Sequence, residues 1–594
     1  VTLMRNALVA LVYCVIACGY AHAISKGHLY STGDPVAVHV SKVGPYLNPT
    51  EQYDYYSLPL CAPKGGAKAI RQNLGEKLEG DRTKTTPFLI DYRKNIDNAA
   101  LCPKKQLSVE DVSKLKNAVS KYYYFEFEID KIPVRGFLGK VQATPKQKTV
   151  YLFTHMEFTL LYNDNDPSAK GKGVVIYANV STNYNKRVAL VEGSPMEVQF
   201  TYSAKWHKTP TRFKDRKIYW SSPSNSQELE IHWLSILNSF VLVVLLTSFL
   251  AIIILRILKN DYARYDDKDP EEGEDYGWKQ VSSDVFRYPP LLSLFCAFQG
   301  VGVQFLLIMS GILILAVVGL YYPGNEGNLV VSAVVLYALT CAASGFCSVR
   351  WYVQMEGKSW QWNIILATTV YAMPFFLNSF VLNMVAVSWH STASIPVTAV
   401  LTVIAIWLFV GFPLTLFGGF AGKRMAGTFY APVRTKNFRR EIPPIPWFRS
   451  LPLQMLMAGF LPFSAIYIEL FYVFNSVWGR STYQLWGILC LVFIILLIVT
   501  ACITVALTYF QLSMEDWRWW WHSFLSGGST GLFIYAYAIF YYAYRSRMTG
   551  FLQASYYFGY MALICYFFFL MLGFVGWYSS LIFVRNIFKN LHFD

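Results

Sequence analysis

The chain has 594 residues, of which 54% are hydrophobic and only 15% charged, and its mean hydropathy is +0.31. An ordinary soluble domain carries about 25% charged residues, so a wholly soluble protein is excluded. The formal charge of +15 is dispersed, and in the second half it sits in short loops between apolar stretches; it reads as a topology signal and not as a nucleic-acid surface.

Residues 1–23 read as a secretory signal peptide. Arg5 gives the positive start, Ala7 to Cys18 an apolar core, and Ala21-His22-Ala23 a cleavage site after Ala23. That core is too short to cross a hydrocarbon layer of about 30 Å.

Residues 24–232 have soluble composition and predict a β-rich, sandwich-like lumenal domain. Runs such as YYYFEFEI, TVYLFTHMEFTLLY and GVVIYANVST alternate with turn-forming clusters. Of the ten cysteines, Cys14 and Cys18 leave with the signal and six lie in apolar segments, so only Cys61 and Cys102 remain in this domain. Two cysteines in an oxidising compartment favour a disulfide. Asn179-Val180-Ser181 is a glycosylation sequon, whereas Asn48-Pro49-Thr50 is disqualified by its proline. No Cys/His cluster points to a metal, and no cofactor is expected.

Residues 233–585 hold nine apolar stretches, at 233–255, 291–321, 329–349, 363–387, 395–418, 452–475, 485–508, 522–544 and 552–584. Each approaches or exceeds the roughly 20 residues a spanning helix needs. With the N-terminal domain lumenal, the cytosolic segments carry 18 Lys and Arg and the lumenal loops 3. This is a positive-inside pattern, and it leaves 586–594 as a cytosolic tail.

Several polar or small-residue features inside this half invite a functional reading. Glu469, in span six, is the one acid well inside an apolar stretch. It reads either as an interhelical contact or as a proton or cation site. Pro374, Pro396, Pro413 and Pro462 interrupt spans, and Gly411, Gly418-Gly419 and Ser526–Gly531 make small-residue surfaces. Those surfaces serve either packing within the bundle or the close approach of another protein's helix. The basic, proline-rich loop 423–449 is a stiff connector or a contact for anionic lipid or for a cytosolic protein.

No H-E-x-x-H, G-x-S-x-G or Walker-type motif is present, so no enzyme is indicated. In EDWRWWWHSF, Trp517, Trp519, Trp520 and Trp521 surround Arg518 just before span eight. The expectation is an interfacial anchor in the bilayer, each indole apolar in body and wet at its N–H. Arg518 would lie over an indole or pair with Glu515 or Asp516.

Seven blocks carry a family resemblance: VGPYLNPTEQYDYYSLPLC (Val43–Cys61), LGEKLEGDR (Leu74–Arg82), DYGWKQVSSDVFRYP (Asp275–Pro289), FPLTLFGGFAGKR (Phe412–Arg424), PVRTKNFRREIPPIPW (Pro432–Trp447), GFLPFSAIYIELFYVF in span six, and EDWRWWWHSF. Together they resemble the nonaspanins, the transmembrane 9 superfamily. The resemblance implies a large lumenal domain on nine helices in Golgi and endosomal membranes. It also implies a role in trafficking and surface delivery of client membrane proteins with glycine-rich transmembrane helices, and no enzyme activity. Family members usually end in lysine, any residue, then an acid, a signal for a coat protein. Here His592 stands in the lysine position before Asp594, which weakens that signal and opens endosomes and the cell surface as destinations. The alternative, from Glu469, is an ion- or proton-coupled transporter or channel.

Overall fold

The computed structural model describes residues 28–144, 147–165, 172–219, 226–266, 277–321, 327–444, 446–479 and 486–589. The expected signal with its cleavage after Ala23, and the tail residues His592 and Asp594, lie outside the described residues.

The N-terminal domain is built on two four-stranded sheets. One pairs Val38–Pro45, Lys84–Thr85, Tyr123–Ile129 and Ile132–Phe137; the other pairs Ile96–Ala100, His155–Asn163, Val174–Thr182 and Thr201–Lys208. In YYFEFEI the period of two sends Phe125, Phe127 and Ile129 into the core, where all three are fully buried. Phe88 bridges the sheets, with its ring 5.5 Å from Phe127 and 5.0 Å from Phe158. Glu126, on the opposite face of its strand, is also buried, and Arg135 satisfies it at 2.7 Å. The strands His155–Asn163 and Thr201–Lys208 run parallel; the other neighbours in these two sheets are antiparallel. Cys61 and Cys102 are joined in a disulfide, their Cα atoms 6.0 Å apart.

Among the described residues, nine helices are long and apolar enough to cross a membrane. They are Ile236–Ala263, Leu292–Val318, Asn328–Gln354, Trp360–Ser388, Val397–Arg424, Leu451–Gly479, Trp486–Ser513, Trp519–Arg545 and Phe551–Lys589, called spans one to nine below. The helix of span one continues beyond its apolar part, over Ser226–Asp266. Spans two and eight are the most buried, one and five the least.

Span five is held by a glycine seam against span three. A Cβ on Gly418 would strike the Ala342 carbonyl, and one on Gly345 the Thr415 carbonyl, so only glycine permits this backbone approach. Pro413 has no N–H to give the helical ladder. One π-helical turn, Trp407–Gly411, precedes it, and the Phe412 N–H bonds the Trp407 carbonyl across it.

Candidate functional site

The N-terminal domain sits on the loops that precede spans three, five and nine, three of the four loops that together hold only 3 Lys and Arg. The contacts come from two short segments. In the first, Asn48 and Thr549 exchange hydrogen bonds: Asn48 Nδ2 donates to the Thr549 carbonyl at 2.8 Å and accepts from its N–H through Oδ1 at 3.0 Å. Thr50 donates to Gln553 Oε1 from its N–H at 3.0 Å and from its hydroxyl at 2.6 Å. The Gln52 carbonyl accepts from the Thr392 N–H at 2.9 Å and the Ser391 hydroxyl at 2.7 Å.

The second segment is the helix Leu74–Glu79, closed at its start by a reciprocal cap between Asn73 and Glu76. A Cβ on its Gly75 would strike the Gly327 carbonyl, and Gly327 itself has φ +76°. Arg82, just after the helix, donates to the Ser394 hydroxyl at 2.7 Å. These two segments lie in the blocks Val43–Cys61 and Leu74–Arg82 that carry the resemblance in this domain.

The other end of the bundle gathers three further blocks. Trp519 Nε1 donates to the Val285 carbonyl at 2.7 Å, Trp521 Nε1 to that of Pro290 at 2.9 Å, and Trp517 Nε1 to that of Arg440 at 3.4 Å. Arg440 also pairs with Glu515 at 2.9 Å, and Arg287 donates to the Lys436 carbonyl at 2.8 Å. Trp519 and Trp520 stack at 4.5 Å, while Phe295 packs edge-on against Trp520, Trp521 and Trp577. Residues 285–290, 429–440 and 515–521 therefore form one aromatic knot.

This corrects the expected anchor. Trp519 and Trp520 are 0% and 2% exposed, so they pack against other residues of the protein and have no surface to offer a lipid headgroup. Trp517 and Trp521 are partly buried, with N–H groups on backbone carbonyls in place of water. The physical reason is that buried loop carbonyls need donors, and an indole supplies one while filling apolar volume. Arg518 pairs with Asp516 at 3.0 Å. Burial alone would push the Asp516 carboxyl up, but the Arg518 guanidinium and backbone N–H outweigh it and hold it below the usual carboxylate range.

The small-residue surfaces are filled from within the chain. Gly418, Gly419 and Gly422 meet span three or four, and Gly527, Gly528 and Gly531 meet the backbone of span nine. Neither is open to a client helix. Pro374 and Pro462 lie inside spans four and six, Pro396 caps span five, and Glu469 is buried within span six. Asn179 is exposed on the strand Val174–Thr182. Among the described residues, no group of three or more His, Cys, Asp or Glu side chains is placed to hold a metal.

Residues 52–551 match the family model for endomembrane protein 70. Similar chains include a candidate phagocytic receptor, 1b, of Dictyostelium discoideum, 49% identical over 96% of both chains. Transmembrane 9 superfamily member 3 of Arabidopsis thaliana is 47% identical over 96% of both. Member 1 of Bos taurus is 47% identical over 95% of this chain and 94% of its own. No solved structure matches. With nine apolar helices among the described residues and these relatives along its length, the chain is an integral, multi-pass membrane protein of the transmembrane 9 superfamily.

Proposed function

We propose that this protein sorts or escorts other membrane proteins in Golgi and endosomal membranes, with its N-terminal domain lumenal and its C-terminus cytosolic. The observation that carries the reading is full-length membership of a family that includes a candidate phagocytic receptor. Loop charge supports the orientation, because the N-terminal domain sits on three of the four loops that together hold only 3 Lys and Arg, against 18 in the segments of the opposite side. Since the glycine seams are filled, clients with glycine-rich helices meet the lipid-facing sides of spans four and five. There Leu377, Phe380, Phe409 and Phe417 are exposed.

The test is immunoprecipitation and surface delivery of glycine-rich membrane clients with and without this protein. Dependence on it supports the reading, and unchanged capture and delivery overturn it. The burial of Glu469 favours a second reading, a proton or cation path through span six. Reconstituted wild type with measurable flux that Glu469→Gln abolishes would establish that path; absence of flux removes it.

A further inference from the structure

A cleft of about 200 Å³ opens between the N-terminal domain and the membrane domain. On one side stand Lys77 and Arg82, from the helix Leu74–Glu79 and the turn after it; on the other stand Thr392 and Ser394, from the loop between spans four and five. Its floor is Pro396 and Thr398, the start of span five.

The charges do not cancel. Asp81 lines the cleft but is paired with Lys42 at 2.7 Å and accepts from the Ser41 hydroxyl. Lys84 is paired with Asp54. Glu76 is held in the cap of its own helix, and Glu79 does not line the cleft. Lys77 and Arg82 are left without a carboxylate partner among the described residues.

Two further features call for an acceptor. Pro396 makes no side-chain cap, so the first N–H groups of span five lack a side-chain acceptor and present the positive end of the helix. Thr392 is 3% exposed and lines the cleft, yet its buried Oγ1 has no hydrogen-bond partner. A buried hydroxyl is ordinarily satisfied. Two cations, an idle hydroxyl and a helix start describe a site for a multiply accepting anion.

We propose that this cleft binds the phosphate of an anionic phospholipid headgroup in the leaflet on the N-terminal domain's side. Depth selects a lipid over a free anion. The floor is the first turn of a membrane-spanning helix, the level at which headgroups lie, and Val397 and Leu401 continue from it as exposed apolar side chains one turn apart, a track for an acyl chain.

The test is native mass spectrometry of the full-length protein released from bilayers of mixed phosphatidylglycerol and phosphatidylcholine. Wild type retains phosphatidylglycerol in preference. The double variant Lys77→Gln/Arg82→Gln lowers that preference at least about tenfold, the weight of one charge-assisted hydrogen bond. Because Arg82 also bonds Ser394, Thr392→Val serves as the second variant: nearly equal in volume, it removes only the hydroxyl and lowers retention severalfold. Undiminished preference in both variants overturns the site. Competition by inorganic phosphate, with no preference between the lipids, overturns the lipid assignment in favour of a free anion.

Discussion

Gln553, in the first turn of span nine, accepts both the N–H and the hydroxyl of Thr50 in the N-terminal domain through a single side-chain oxygen. Gln553 is fully buried, and its Nε2 donates to Met548 Sδ at 3.0 Å. Replacing it by leucine strands both Thr50 donors at the seam. Gln553→Leu is expected to loosen the docking by about 2 kcal/mol. Hydrogen exchange over residues 45–56 should rise at least tenfold while the sandwich core stays protected. Unchanged exchange there would show that the seam does not depend on this pair.

The aromatic knot makes a graded prediction. Trp519→Phe keeps the ring stack but loses the hydrogen bond to Val285, at about 1 kcal/mol. Trp519→Ala also empties a fully buried site, at about 3–5 kcal/mol. Folded yield after detergent extraction should follow that order. Equal yields would place the indole outside the core after all.

At the glycine seam, Gly418→Ala adds one methyl group against the Ala342 carbonyl of span three. Overpacking of this kind costs about 1–3 kcal/mol. Thermal unfolding of the full chain should shift down. Gly427→Ala is a poor control because its φ is +63°, whereas Gly487, open on all sides, tolerates alanine. A Gly418→Ala melt matching that of Gly487→Ala would refute the close contact.

The N-terminal domain carries a pH dependence of defined sign. His155 is buried, with Nδ1 2.8 Å from the Thr201 hydroxyl and Nε2 3.1 Å from that of Ser203. Burial lowers its pKa, Lys186 and Lys205 lower it further, and Glu157 opposes them. The unfolded chain takes up this proton near pH 6.5, and the folded chain only at lower pH. Stability is therefore complete above about pH 6.5 and falls as the pH drops from there through the folded value. His39, partly buried, adds in the same direction. Thermal melts between about pH 7.5 and pH 5 should show this slope, and His155→Asn should flatten it.

Asn179 is exposed and offers its side chain to solvent. A glycosidase-sensitive mobility shift that Asn179→Gln removes is expected, provided the domain is made on the glycosylating side of the membrane. A wild-type band unaffected by glycosidase would count against that orientation.

The bundle was legible because a membrane helix must be apolar along its whole length, and any window of the chain reports that by itself. The alternation in YYYFEFEI exposed its core face for the same reason. The tryptophans were not legible: an indole at a headgroup layer and one in a core look the same locally. What separates them is a carbonyl 234 residues away at Val285 and another 231 away at Pro290. Glycines carry the same ambiguity, since Gly418 announces a close approach without saying to what. One signal did exist. The acids at 515–516 and the arginines at 439–440 are opposite charges on loops assigned to one side, and Arg440 does reach Glu515.

Asn48 has a further consequence. Its side chain is 6% exposed, and it is committed to Glu51 and Thr549. Asn48-Pro49-Thr50 would be a carbohydrate acceptor with almost any other residue in the middle. A sugar is attached to a chain still being made, before the domain has settled on its loops, so with the domain on the glycosylating side, as proposed above, Pro49→Ala would place a bulky glycan where Asn48 must lie flat. Pro49 thus keeps the seam chemically silent, and the damage from losing it would come from the cell's own modifying enzyme and from no change in contacts. In cells without that enzyme, the same substitution should pass unnoticed.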